Sequence, residues 1–449
     1  MPRGGPAKTV DMGSKKMSEF ILNKRVPVGG RYDVLVAGSG PAGICAAVSA
    51  ARLGARTAIV ERYGVVGGNL TSGGVGPIMG SVARGTLRDE LTGRLLVGFN
   101  DIQGKIGRVH DIERAKETLF EFLREEGVEV FLQSPIVDVV MEGDSIRGVV
   151  IGGKNGLCAL EAERVVDASG DGDVAFFAGA PCEFGREGDG RVQPVTLMYV
   201  LTGVEDDALT CIGEEDMVKL GDERFLEFTA RCVKQGILPD NTSSVRLYRT
   251  NVPGERLVNT TQANNISPLE PTDLSKAEQI LRRQITGVTE FLRRYVPGYQ
   301  KAHIKSTAST LGVRESRRIT GEYVLQDDDL RAGRKFPDVV VHNANFVVDI
   351  HNPTGGGQAE GLAEVIKAYD IPYGCLIPQR IENLVLSGRC ISGTHRAHAS
   401  YRVMTICMAI GEASGAAAAL SLQKGVSPRA LSAEVVQKTL LDRGAVLFD

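Results

Sequence analysis

The sequence predicts an α/β protein: a Rossmann-like nucleotide-binding domain, a parallel sheet with helices on both faces, carrying an inserted α+β substrate domain. Three observations predict it. Tyr32 to Glu61 reads as strand, glycine turn, small-residue helix, second strand and terminal acid. Asn383 to Leu422 repeats the theme of strand, glycine and helix near the C-terminus. Between them, from about Gln193, the texture turns polar and carries no nucleotide signal. The expected organisation is a flexible arm over 1–17, a discontinuous nucleotide-binding domain over 18–190 and 305–425, a substrate or cap domain over 191–304 joined by part of 325–370, and a helical tail over 426–449.

Asp33-Val34-Leu35-Val36-Ala37 is a short apolar run suited to a buried parallel strand. It stops at Gly38-Ser39-Gly40-Pro41-Ala42-Gly43. Gly38 makes the tight turn, Gly40 lets backbone approach a pyrophosphate, and Gly43 lets the helix pack on the strand. The helix N-terminus, with Pro41 and Ala42, offers free N–H groups and a positive dipole end to phosphates. The strand Thr57-Ala58-Ile59-Val60 then ends on Glu61, 21 residues after Gly40, where a carboxylate accepts hydrogen bonds from a ribose. An acid at that place disfavours a 2′-phosphate, so FAD or NAD is expected rather than NADP.

Composition narrows the classes. A net charge of −3 gives no electrostatic case for nucleic acid. No apolar run of about 18 residues is evident, so no membrane span is expected. Fifty-four glycines with no Trp suit a backbone that approaches a large cofactor closely. The eight cysteines never form a Cys-x-x-Cys pair, so they read as reduced thiols of a cytoplasmic protein, with no zinc site and no redox disulfide.

After Glu61, the run from Arg62 to Pro77, including Gly67-Gly68-Asn69 and Ser72-Gly73-Gly74, is too glycine-rich for a regular element and suits a planar ligand. A helix is expected from the N-cap Asp111 to Glu126, ending at Gly127. Strands follow at 128–132, 136–141 and 146–151, and Gly152-Gly153, which opens no helix, reads as a hairpin turn. Arg164 to Asp167 is a strand that ends in the loop Ala168-Ser169-Gly170. Asp171 and Asp173 lack the later acid of a calcium loop, so no metal is assigned. Val195–Leu201 reads as a strand, 205–293 as polar and helical with a loop over 241–265, and Phe336–Ile350 as holding a strand before His351. A strand over 383–387 reaches Gly388-Arg389, a polar loop runs to Arg402, and a small-residue helix spans about Val403 to Leu422, with Gly411 and Gly415 spaced for close packing.

Together these segments resemble the FAD-dependent oxidoreductase family with the glutathione-reductase-type FAD fold, in its branch of single-FAD bacterial proteins. The resemblance rests on Gly-Val-Arg-Glu-Ser-Arg-Arg-Ile at 312–319, Ile-Pro-Tyr at 371–373, Leu-Ile-Pro at 376–378, Glu-Asn-Leu at 382–384 and the closing pattern at 388–411, and covers about 20–445. It implies that Gly38, Gly40, Gly43 and Glu61 hold the ADP half of FAD. Gly67, Gly68 and Ser72–Gly74 would line the flavin, with Asn69 and Arg62 beside them. Ala168-Ser169-Gly170 would pass near the adenosine and pyrophosphate, and Gly388 and Arg389 near the pyrophosphate or ribityl chain. The helix start at Arg402, Val403 and Met404 would face flavin N1 and O2. Two departures matter. Where disulfide reductases carry a redox Cys pair, this chain has Leu70 and Val75; where some relatives attach flavin to a loop His, no His precedes His110, so non-covalent FAD is expected.

Hydride chemistry needs a group of near-neutral pKa beside the flavin, which nominates His395, His398 and His351. Arg314, Arg317, Arg402 and Tyr373 are candidates to orient an anionic or polar substrate. His110, His303 and His342 read as structural. The expected partners are a small-molecule substrate and an unknown electron acceptor, with no nucleic acid and no membrane, and a homo-oligomer left open. The function expected is hydride transfer between a small organic substrate and FAD. The alternatives are a pyridine-nucleotide-linked flavin reductase, or a flavoprotein subunit of an electron-transfer or RNA-modification assembly.

Overall fold

A computed structural model describes residues 23–96, 109–213, 217–359 and 363–449. The arm expected over 1–17 lies outside them.

Strand β1 (Val28–Ala37) leads into helix α1 (Pro41–Arg52) and strand β2 (Thr57–Val60). Two helices follow, α2 (Leu87–Leu95) and α3 (Ile112–Glu125). Asp111 caps α3 by accepting from the Glu113 and Arg114 N–H groups, and Gly127 turns the chain with φ +66°. Strands β3 (Glu129–Phe131), β4 (Ile136–Glu142), β5 (Ser145–Gly153) and β6 (Gly156–Asp167) complete the first pass. The main sheet has the order β3-β2-β1-β6-β5-β4, and Leu384–Leu386 pairs with the second half of β6. β3, β2, β1, β6 and Leu384–Leu386 all run parallel, so their carboxyl ends share one edge. The sequence order reverses direction between β1 and β6, which opens a crevice at that edge.

Helix Met404–Gln423 lies against α1, and here the glycine spacing has a steric meaning. A Cβ on Gly411 would sit 2.1 Å from Ala42 O, and one on Gly415 would sit 2.0 Å from Ala46 O. Only glycine permits that approach. By length and composition the same helix could cross a membrane, but 94% of its 18-residue apolar window is buried inside the fold.

A second hydrophobic core gathers side chains from Val195 to Ala302. It packs beneath an antiparallel sheet of Arg246–Arg249, Arg256–Asn259, Tyr199–Thr202 and His303–Thr307, beside the 25-residue helix Pro271–Tyr295. Several boundaries differ from expectation. The stretch 241–265 contains a β-hairpin, hidden because its strands have four residues each and arginines at their ends. The strand near Val195 begins at Tyr199; Val195 and Thr196 make only isolated bridges, to Ala263 and Gly312. Gly152 and Gly153 close strand β5 and leave the turn itself to Lys154 and Asn155. One 3-10 turn, Gly68–Leu70, interrupts the glycine loop. The polar stretch before Arg402 is a helix, His395–Tyr401, capped by the Thr394 side chain.

Candidate active site

The carboxyl edge of the sheet is a groove. Every parallel strand delivers a residue to it: Gly38 after β1, Glu61 after β2, Ser134 beyond β3, Ala168 after β6 and Ser387 after Leu384–Leu386. The groove is a narrow cleft, partly open to solvent, with a cavity volume of about 150 Å³. Gly40 caps α1 in extended backbone (φ −65°), and the first N–H groups of the helix have no intrahelical acceptor. A Cβ on Gly40 would meet nothing within 4 Å, so the space over this helix end is open. Gly38 adopts φ +91°, and a Cβ on Gly43 would come within 1.9 Å of Gly38 O. Gly43 therefore sits beneath the turn and does not line the groove.

Glu61 is buried at the groove wall. The Ser39 N–H and hydroxyl donate to its Oε2 at 3.0 and 2.5 Å, and the Tyr63 N–H donates to Oε1 at 2.9 Å. A carboxylate has about four acceptor sites, so one remains for a ribose hydroxyl. Arg62 and Tyr63 continue the wall, the guanidinium 4.9 Å above the phenol ring. Gly68, Asn69, Ser169, Gly170, Gly388 and Arg389 also line it. Gly67, Ser72, Gly73 and Gly74 do not. Gly67 and Gly74 adopt positive φ, and Gly73 packs on Asn69, so these three shape the loop that presents Gly68 and Asn69.

An acidic knot supports this wall from below. Arg389 Nη2 lies 2.5 Å from Asp171 Oδ1, and Arg62 Nη2 lies 3.3 Å from Asp171 Oδ2. Burial works against ionising Asp171, but the two guanidiniums hold its carboxyl below the ordinary range. Asp173, which does line the groove, is pushed up to about 6 by burial and by the neighbouring Asp171 and Asp167. The Gly-Val-Arg-Glu-Ser-Arg-Arg segment ties the knot to the rest. Ser316 Oγ donates to Asp171, Arg317 pairs with Asp173, and Arg318 pairs with the fully buried Glu315 at 2.6 Å.

A second, larger cavity meets the groove at Asn69, Val313, Arg402 and Met404, which line both. It lies between the glycine loop, the second core's sheet and the start of helix Met404–Gln423, whose N-cap Val403 also lines it. Its polar side chains include Arg246, Tyr248, Arg314, Asp349, His351 and Arg402. Arg402 Nη2 donates to Asp349 Oδ2 at 3.2 Å and to the Asp349 carbonyl at 2.9 Å. His351 Nε2 lies 3.4 Å from Asp349 Oδ2. Burial, then the charge of Arg314, pushes His351 down to about 3, so its ring is neutral at pH 7. Burial opposes ionising Asp349, yet His351, Arg402 and Arg246 hold its carboxyl well below the usual range.

The structure separates the sequence-nominated histidines. His351 lines the second cavity; His395 and His398 line neither. His395 Nδ1 lies 2.7 Å from Glu315 Oε1. His398 is fully buried edge-on to Tyr401, with neither ring nitrogen partnered, and burial and nearby Arg318 push its pKa well down. Tyr373 is likewise away from both cavities, donating to the Pro428 carbonyl at 2.8 Å. Arg317 stacks 3.9 Å over the Phe176 ring instead of facing a cavity. His110 sits between the carbonyls of Gly76 and Leu70, and His342 beside Asp370. Sequence reasoning missed Arg246, Tyr248 and Asp349. The first two lie on the unrecognised hairpin, and no motif flags the third.

The model of the FAD dependent oxidoreductase family matches residues 33–440. The chain belongs to that family. Among relatives of this FAD-dependent oxidoreductase, the thiamine thiazole synthase of Aeropyrum pernix is 33% identical over 31% of this chain and 55% of its own length. The digeranylgeranylglycerophospholipid reductase of Picrophilus torridus is 28% identical over 31% of this chain and 39% of its own. The chain thus spans about half the length of these relatives. A solved geranylgeranyl bacteriochlorophyll reductase-like protein from Thermoplasma acidophilum is 16% identical with a TM-score of 0.48, covering 92% of this chain and 84% of its own. FAD, the family's cofactor, fits the groove on the structure's own terms. The helix α1 end is open above Gly40, Ser387 lines the groove and has a buried hydroxyl without a partner, and Arg402 at the junction has an unpartnered Nε.

Proposed function

We propose that this FAD-dependent oxidoreductase moves a hydride between a small organic substrate in the second cavity and FAD in the groove. The observation that carries this reading is the junction: Asn69, Val313, Arg402 and Met404 line both spaces, so two ligands there would touch. When bound, FAD supplies a two-electron centre able to take up or release a hydride. The chain's own residues do the rest. Gly40 and the first turn of α1 receive the diphosphate through backbone N–H groups, while the Gly38 N–H stays in the sheet, donated to the Val60 carbonyl at 2.7 Å. Glu61 holds a ribose hydroxyl with its remaining lone pair. The N-terminus of helix Met404–Gln423, together with Arg402, places positive potential at the junction, where it favours a negative charge.

His351 is the histidine we assign as proton acceptor for the substrate, in preference to His395 and His398, because it lines the cavity. Burial and Arg314 make its neutral ring a weak base, and the Asp349 carboxylate 3.4 Å away is the group that favours the imidazolium when a proton is taken up. The test is His351→Asn, followed by anaerobic rapid-reaction reduction. Flavin content should match the wild type while the reduction rate falls by about 10²–10⁴-fold. A wild-type rate would remove His351 from the chemistry.

A further inference from the structure

We propose that the substrate of the second cavity is a carboxylate with an apolar body, its carboxylate seated on Arg314. This rests on the two-cavity reading above. Among the described residues that line the cavity, Arg88 and Asp89 already pair with each other at 2.7 Å. Asp349 is committed as well: its oxygens take Arg402, His351 and the Gln358 amide, the last at 2.6 Å. Arg314 is buried, yet among the described residues no ion pair joins it to a carboxylate. Its Nη1 donates to the Pro194 carbonyl at 2.7 Å, which leaves the remaining N–H groups of the fork for a ligand.

A buried guanidinium without an anion is costly to hold charged, and burial together with Arg402 pushes Arg314 down to about 9. The planar fork matches a carboxylate with two parallel hydrogen bonds. The rest of the wall sets the body of the molecule. Ile78, Met79, Val82, Met198, Phe346 and Val347 face the same space and offer it no polar group from their side chains. That wall, with Asp349 fixed as an anion nearby, favours a monoanionic carboxylate over a phosphate dianion. Arg314 does not line the groove, so the FAD diphosphate is not what it serves.

The test is calorimetric titration of the FAD-loaded protein with butyrate and benzoate, their primary amides butyramide and benzamide, and inorganic phosphate. The carboxylates should bind at least about 10-fold more tightly than the amides, because a charge-assisted pair of hydrogen bonds is lost with the charge. Arg314→Gln should erase that preference while flavin content stays at the wild-type level. If Arg314→Gln does not fold, Arg314→Lys, which keeps the charge and loses the planar fork, and the acid–amide comparison in the wild type carry the same question. Equal binding of acid and amide, or tighter binding of phosphate, overturns the proposal. So does an unaltered preference in a folded Arg314→Gln. Carboxylate binding in a protein that no substrate reduces would instead sink the hydride reading and leave this one standing.

Discussion

Gly40→Val separates cofactor contact from folding, because the structure gives its two effects different sizes. In the chain itself, position 40 has backbone that any residue adopts, and an added Cβ meets no atom within 4 Å. The cost to the cofactor-free protein is therefore confined to replacing a glycine N-cap by an apolar one, about 0.5–1 kcal/mol. The same carbons project into the groove where the diphosphate approaches the first turn of α1. Overpacking of that kind costs about 1–3 kcal/mol, which is about 5- to 150-fold in the dissociation constant. Gly43→Ala reverses the pattern. Its Cβ would press within 1.9 Å of Gly38 O, so the strand–turn–helix unit itself must shift. The assay strips the flavin, measures urea unfolding of each cofactor-free form, and titrates FAD back by fluorescence. Gly40→Val should unfold near wild type and bind FAD weakly, whereas Gly43→Ala should lose stability before any FAD is added. A Gly40→Val protein with wild-type FAD affinity would refute the reasoning.

Two further outcomes follow from buried groups and from the missing loop histidine. Glu412 lies in the helix core, and burial pushes it up to about 7 from the ordinary 4.5, against the opposing hydrogen bond from the Leu87 N–H. A raised carboxyl contributes fully below pH 4.5, and the contribution is lost as pH rises through 7. Glu412→Gln should thus match the wild type near pH 4.5 and exceed its stability at pH 8 by up to about 3 kcal/mol. Urea unfolding at both pH values checks it, and a stability gap that does not change with pH would count against the assignment. FAD should leave with the supernatant when the protein is precipitated with acid, since no His precedes His110 in the chain; a yellow pellet would show a covalent link.

The fold was most legible where local chemistry and tertiary role coincide. Gly38, Gly40 and Gly43 are needed by the turn, the open helix end and the strand contact respectively, so their spacing carries the whole unit. Gly411 and Gly415 were readable for the same reason, as contact points on Ala42 and Ala46. The candidate site was less legible. His395 and His398 stand in sequence beside the helix that opens on the junction, but His395–Tyr401 is a short helix with almost every residue buried. No amphipathic period marks which way its side chains turn. Within 312–319, Arg314 faces the cavity while Glu315, Ser316 and Arg318 bind buried partners, and neighbouring charges in one run give no hint of that division. Arg246 and Asp349 come from segments more than a hundred residues apart and share only the wall of the second cavity.

The most direct test of the account is anaerobic mixing of the FAD-loaded protein with a panel of small carboxylates bearing an oxidisable hydroxyl or amine, monitored at the flavin band near about 450 nm. The account predicts that at least one member bleaches the band stoichiometrically, and that the bleaching slows in His351→Asn. Bleaching by NADH or NADPH at useful rates, with none from any carboxylate, would contradict it and put the pyridine-nucleotide-linked reductase in its place.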